Sequence, residues 1–393
     1  MDIRLIWLAV GTFAIGVESF AISSLLPQIA ESTGVTLTQA GYLVIAFALA
    51  IAFGAPVLAA LTGTVDRRST LTVSALIFSA GALWASLSQG YFDLMAARVL
   101  MAFSAGLYSS TVQATGVAIA SPAHRARAIS VIVGGTTLAV AFGAPIGALV
   151  AGFAGWRGAY GMIAVFGLIA AGAIRLMLPA GLRGAALPIS QRIAAIALPG
   201  VPVALLTTLL YMTGAFTTVI YIAVITTEAL GLPKALIPAV MLAFGIGAAF
   251  GNVAGGQFAD RFGPGKTIAG SILIGGLMLA ALSGVGHLPA GLVLPAFFAI
   301  NVAWGFVGWG YLPAQSSHLV SLSPNAAPLV LSLNYSALYL GVAGGSLVGG
   351  LVLQHGSAGD LGWIGALFSA AALGLVALKA TGRERPVTNV RWG

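Results

Sequence analysis

Two residues in this chain have side chains able to do chemistry where chemistry is costly. Glu18 lies in the first apolar run and Arg98 in the fourth, and apart from Asp93 at the edge of the fourth run the residues around them are apolar, small or neutral. A charge in the middle of a bilayer is expensive, so such residues mark proton, ion or substrate pathways. A carboxylate in a low-dielectric cavity can exchange a proton near neutral pH. A guanidinium nearby alters its proton affinity, so a motion that changes their separation also changes protonation. The other reading is a static buried ion pair that holds helices together.

The elements that must position this pair are membrane helices. The chain has 393 residues, of which 59% are apolar and 7% charged, and its mean hydropathy is +1.03. A soluble domain carries about 25% charged residues. The 53 glycines would weaken soluble helices but allow close helix approach in a bilayer. The formal charge of +8 does not point to nucleic acid, because the basic residues are dispersed between apolar runs. There is no cysteine, and the four histidines stand far apart, so neither a disulfide nor a metal site is expected. The run after Met1-Asp2-Ile3-Arg4 is too long for a signal-peptide core and reads as a retained first span.

With about 20 apolar residues needed per crossing, roughly twelve runs qualify: 5–27, 38–63, 70–88, 92–119, 128–153, 156–178, 195–226, 233–256, 266–286, 289–317, 327–353 and 358–379. The fold class expected is all-α, with two six-helix bundles around a central cavity. Residues 1–178 form the first bundle, 179–194 a linker, 195–380 the second bundle and 381–393 a tail. With a cytoplasmic N-terminus, the inner loops collect Arg4, Arg67, Arg68, Arg125, Arg127, Arg175, Arg183, Arg192, Arg261, Lys266, Lys379, Arg383, Arg385 and Arg391. The outer loops keep only Arg157 and Lys234. This excess of basic residues places both termini inside. Depth then pairs the two charges: Glu18 lies roughly 20 Å, and Arg98 roughly 21 Å, from the inner edge of a core about 30 Å thick.

The halves repeat. Gly63-Thr64-Val65-Asp66-Arg67-Arg68 follows the second run, and Gly256-Gln257-Phe258-Ala259-Asp260-Arg261 closes the eighth, with the two aspartates 194 residues apart. Internal repeats of this kind build many secondary transporters, with the substrate site near the midplane between them.

These motifs resemble those of the Major Facilitator Superfamily, and most of all its twelve-span drug:proton antiporters in the bacterial branch of sugar, nucleoside and multidrug exporters. The resemblance covers essentially the whole chain. Asp66, Arg67 and Arg68 match the core of the family's loop signature. Thr62 stands where Gly is usual and Thr70 where a basic residue is usual, whereas the second copy keeps Gly256 with Asp260, Arg261 and Lys266. The resemblance implies a conformational latch for Asp66, Arg67, Arg68, Asp260 and Arg261. Arg98 followed eight residues later by Gly106 resembles the span-four signature linked to proton coupling. Val17-Glu18-Ser19-Phe20 resembles the first span of exporters, where an acid binds protons or cationic solutes. Gly143-Ala144-Pro145-Ile146-Gly147 resembles the antiporter signature of span five, so Gly143, Pro145 and Gly147 are expected to let that helix bend and pack closely.

Spans four, seven, ten and eleven supply candidate cavity residues: Tyr108, Gln113, Tyr211, Tyr221, Asn301, Trp304, Trp309, Asn334, Tyr335 and Tyr339. Aromatic rings with a few amides suit an amphiphilic solute. Ordinary packing or an interfacial belt would use the same residue types.

The expected function is a proton-coupled antiporter that exports a small amphiphilic solute, such as a drug, sugar, nucleoside or amino-acid-like compound, by alternating access. The alternative is proton-coupled or facilitated uptake of a sugar or similar solute. The expected setting is a bacterial inner membrane, the expected partners are solute, protons and lipid, and the expected state is a monomer without cofactor. An intramembrane enzyme is disfavoured because no Ser-His, paired-Asp or metal-ligand constellation lies in the spans. No Gly-x-x-x-x-Gly-Lys-Ser/Thr loop is present to support nucleotide-driven transport.

Overall fold

In the computed structural model, which describes residues 3–121, 125–183 and 194–381, the chain is built from long helices. The linker residues 184–193, with Arg192, and the tail beyond 381 lie outside the described residues. We number the helices α1 (Ile3–Thr33), α2 (Leu37–Leu61), α3 (Arg67–Leu87), α4 (Tyr91–Ile119), α5 (Arg125–Leu138), α6 (Ala144–Met177), α7 (Val201–Val219), α8 (Ile237–Phe262), α9 (Pro264–Gly284), α10 (Ala290–Leu322), α11 (Ala327–His355) and α12 (Leu361–Thr381).

Among the described residues, ten stretches are long and apolar enough to cross a membrane, against the roughly twelve runs expected. The difference has two sources. α4 falls short because Asp93, Arg98 and Ser109-Ser110-Thr111 lower its apolarity. Residues 128–177 form one uninterrupted stretch that contains two crossings. The chain turns back inside it at Gly155, whose φ of 68° and ψ of 176° are not helical. Before the turn, Gly147 packs on Ala21, Gln28 donates to the Ala151 carbonyl and Trp156 Nε1 to Ser32 Oγ, so this stretch runs parallel to α1. After it, the Arg157 carbonyl accepts from Ser86, Gly167 faces Ser79 and the Leu178 carbonyl accepts from Arg68, so the chain runs antiparallel to α3. Only glycine enters that left-handed φ region without strain.

α1–α6 pack as one bundle and α7–α12 as the other. Two devices shape them. The first is a π-helical turn, Ala139–Gly143, between α5 and α6, in which the Ala144 N–H bonds the Ala139 carbonyl five residues back. Pro145 has no N–H to offer Ala141, and its ring would press on that carbonyl, so the backbone widens just before it. The second is the α8–α10 seam. Gly247, Gly251 and Gly255, spaced by four, lie against backbone atoms of Val302, Phe306 and Gly310, and Gly305 lies against the Phe244 carbonyl. A small residue every fourth position lets two helix backbones touch.

The bundles meet through α2 with α11 and through α8 with the π-turn and the start of α6. Thr38 donates to the Gly350 carbonyl at 2.9 Å and Ser346 to the Gly41 carbonyl at 2.8 Å. The Tyr221 hydroxyl, bonded to the Ser346 carbonyl at 2.8 Å, lies against Gly41. These contacts sit at the end of the bundle where α1 finishes and α2 begins. Nearer the middle, Ser336 donates to the Ala52 carbonyl and Asn252 to Thr137. Phe53, Phe92, Phe153, Leu176 and Phe250 are more than 60% exposed and face outward, as a perimeter in contact with hydrocarbon requires.

Candidate functional site

The two charges meet. Arg98 Nη1 lies 2.6 Å from Glu18 Oε1, and both side chains are 1% exposed or less. Arg98 carries five donors, and the fold supplies further acceptors. Its Nη1 donates to the Tyr160 hydroxyl, its Nε to the Leu43 carbonyl at 3.2 Å, and its guanidinium lies 5.0 Å from the centre of the Phe47 ring. Glu18 has fewer partners. Beyond the ion contact, no donor among the described residues hydrogen-bonds either carboxylate oxygen. The site therefore draws on α1, α2, α4 and α6, with the arginine held from several sides and the acid from one.

Span five supports the acid from behind. Gly143 packs on Val17 and Gly147 on Ala21, while Gly16 faces Ala139. Pro145 is buried. The expected antiporter segment thus packs against the helix that carries Glu18. From the other bundle, Tyr339 comes close to Ser19, with the Tyr335 ring 4.9 Å away.

The remaining expected cavity residues separate. Tyr221 sits in the seam between α2 and α11. Asn301 and Trp304, with Phe20, Ser23, Val140 and Phe244, line a void of about 20 Å³ between the bundles. Trp309 stacks edge-on to Phe20 at 5.4 Å. Gln113 is exposed. Tyr108 and Tyr211 do not line this seam. Tyr108 donates to the Leu8 carbonyl and fills the notch at Gly11 inside the first bundle. Tyr211 donates to the Ser271 carbonyl against Gly275 inside the second. In each, a buried hydroxyl needs a partner, and a backbone carbonyl beside a glycine provides one.

Asn334 belongs to a buried cluster missed by the sequence reading. Thr208 donates to Asn334 Oδ1 at 2.7 Å and pairs with the Tyr311 hydroxyl at 3.0 Å. Gln315 Nε2 donates to Thr208 and to the Ala204 carbonyl. Tyr160 was missed as well. Its signal was available: an arginine buried with one acid needs more acceptors, and Tyr160 lies on the sixth span beside α4.

The repeated Asp-Arg pairs differ. Asp66 caps α3, accepting from the Ser69 N–H and hydroxyl and from the Gly181 N–H at 2.8 Å. Slight burial pushes its carboxyl up, but the Ser69 and Gly181 bonds, with the Arg68 charge, outweigh it and hold the group below the usual carboxylate range. Arg67 donates to the Ala114 carbonyl and Arg68 to Leu178. Asp260 and Arg261 instead lie exposed in the last turn of α8, with Arg261 over the Phe262 ring at 5.3 Å.

A broad second pocket of about 1090 Å³ lies among helix ends and loops, with Thr36, Tyr42, Glu228, His287 and Trp363 in its lining. Among the described residues no group of His, Asp and Glu could hold a metal.

Comparisons with known proteins agree with this architecture. The family model described as Major Facilitator Superfamily matches residues 8–318 and 203–391. The chain is 32% identical over 360 residues to "Uncharacterized MFS-type transporter YbcL" of Bacillus subtilis, covering 92% of this chain and 91% of the relative. It is 31% identical to the "Chloramphenicol resistance protein" of Streptomyces lividans, covering 95% of each. A crystal structure of a bacterial homologue of the human lysosomal transporter Spinster, described as inward-facing and occupied, superposes with a TM-score of 0.72 at 17% identity over 96% of each chain. The chain is a multi-pass membrane transporter and belongs to the Major Facilitator Superfamily.

Proposed function

We propose that this transporter is a proton-driven exporter of small amphiphilic solutes, working by alternating access in a bacterial inner membrane with both termini cytoplasmic. The observation that carries the reading is the Glu18–Arg98 pair, excluded from water and asymmetrically held. A fixed structural ion pair is best when both partners are fully hydrogen-bonded. Here the acid can take a proton and release the arginine, which keeps Tyr160 and the Leu43 carbonyl. The relative named for chloramphenicol resistance supports the outward direction. With the N-terminus inside, the contacts of Thr38, Gly41, Tyr221 and Ser346 seal the outer side. Rocking of the bundles would exchange that seal for an inner one. Asp66, Arg67 and Arg68 then act as the inner latch.

The test is transport of a solute panel into everted vesicles with an imposed proton gradient. Uphill accumulation that collapses with the gradient supports the reading. Accumulation of every transported solute independent of the gradient defeats it.

A further inference from the structure

The void between the bundles has a wall of one chemical character. Three rings line it, Phe20, Phe244 and Trp304; Phe244 lies 4.9 Å from Trp304, and Trp309, behind the wall, bridges Phe20 at 5.4 Å and Phe244 at 5.5 Å. Phe20 comes from the first bundle and the others from the second. Val140, from the π-turn, closes another side. No ionised side chain lines the void, because the Glu18–Arg98 pair is buried inside the first bundle. Ser23 has used its hydroxyl on the Phe20 carbonyl at 2.7 Å.

Asn301 is the exception in this wall. It is fully buried. Its Nδ2 donates to the Phe297 carbonyl at 2.8 Å, which sets which end of the amide is oxygen. Its Oδ1 has no hydrogen-bond partner among the described residues. Buried amide oxygens are nearly always paired, and one left alone in an apolar wall is costly. That cost is recovered if an occupant of the void supplies a donor. A lone carbonyl acceptor repels an anion, and the wall has no carboxylate to neutralise a cation. Aromatic rings meet another ring edge-on or offset.

We infer that this void is the closed form of a cargo subsite for an uncharged aromatic solute that donates one hydrogen bond to Asn301 Oδ1. The inference rests on the export reading only for calling the occupant cargo. The bundles part at this level to admit it, since a void of about 20 Å³ has the room of one water.

A matched pair of probes tests it: 1-naphthol, and 1-methoxynaphthalene, which keeps the ring system and loses the donor. Binding is measured by equilibrium dialysis on the full chain in lipid nanodiscs, without a proton gradient, after subtracting protein-free discs. The wild type should bind the naphthol about tenfold more tightly than the ether, the order expected for one buried hydrogen bond. Naphthalene-1-sulfonate should bind more weakly than either. Asn301→Leu should abolish the preference while keeping affinity for the ether. Phe20→Ala, on the opposite wall, should weaken both neutral probes and keep their ratio. Equal binding of naphthol and ether by the wild type overturns the inference, as does a preference that survives in folded Asn301→Leu. Unchanged affinities in Phe20→Ala overturn it too, and do so even where Asn301→Leu fails to fold. Because no gradient is used, any of these results leaves the proton-drive reading standing, and failure of that reading in vesicles leaves the subsite intact.

Discussion

Each bundle buries a polar cluster, and the two clusters are built on opposite principles. In the first, Glu18, Arg98 and Tyr160 bring two formal charges together, and the acid has one contact. In the second, Thr208, Tyr311, Asn334 and Gln315 are neutral and linked to one another. A neutral cluster with its bonds made rigidifies helices, since every alternative arrangement loses a bond. A charged cluster with a poorly held acid is the part that the proposed coupling would work through. The comparison teaches that a repeated fold can divide its labour: on the proposed reading one bundle responds to protons and the other serves as a firm counterpart.

The largest effect should come from breaking the charged side. Glu18→Gln should abolish proton-driven accumulation, leaving downhill exchange, because the amide keeps shape and loses the titratable proton. Arg98→Ala should lose coupling as well and destabilise the protein by about 3–5 kcal/mol, the cost of stranding a buried charge. The double neutral variant separates the readings. Stability and proton-coupled flux both restored to near wild type would reduce the pair to a structural bridge. Restored folding without coupled flux would support the coupling role.

Next is the packing contrast between corresponding helix pairs. Gly251→Leu should cost several kcal/mol, about 3 or more as for severe overpacking, because the new side chain meets the Phe306 carbonyl. Gly54→Ala, on the matching α2–α4 pair, meets only the Phe103 ring, which can swing toward lipid. Its melting temperature in detergent should stay near wild type. Equal losses at both sites would remove the contrast.

The neutral cluster should give a smaller effect of a different kind. Gln315→Leu should destabilise by about 1–3 kcal/mol and slow transport without moving its pH profile. A shifted pH profile would mean that this cluster, too, handles protons.

The smallest effect separates the two Asp-Arg copies. Asp66→Asn should slow transport and loosen the start of the linker, whereas Asp260→Asn should do less, its side chain being exposed. Asp66 has its carboxyl held low, so its contribution is present above the unfolded pKa and lost as pH falls through the folded value, on the acid side of about 4. The stability difference between wild type and Asp66→Asn should therefore shrink on acidification. A difference that is flat with pH would leave the Asp66 bonds without weight.

Hydropathy made the helix pattern legible, including the break between the runs 128–153 and 156–178, which the structure places at Gly155. That Glu18 and Arg98 share a level was legible from depth, because rise per residue places both at one height. Rotation about the helix axis was not. Tyr211 shares its span with Tyr221 of the seam, yet it and Tyr108 turn into their own bundles, where Gly275 and Gly11 leave notches. Thr208 and Gln315 carry no charge and occur in runs of similar residues, so only their convergence in space marks them. The Asp-Arg copies read alike but sit in different helical registers: Asp66 begins a helix, while Asp260 precedes the end of one.

The π-turn at Ala139–Gly143 is, in register, one residue more than an α-helix needs. Removing one residue from this turn would let the backbone close into an ordinary helix while the stretches on either side keep their faces, because the wide turn absorbs one extra residue within a single turn. Val140 and Ala141, which now face the second bundle, lie in the widened turn itself, while Gly143 and Gly147 would stay on α1. A single-codon deletion here therefore removes the swelling and leaves the helix in register. It adds no bulky or charged group, and it asks whether the two bundles recognise each other by that widened turn.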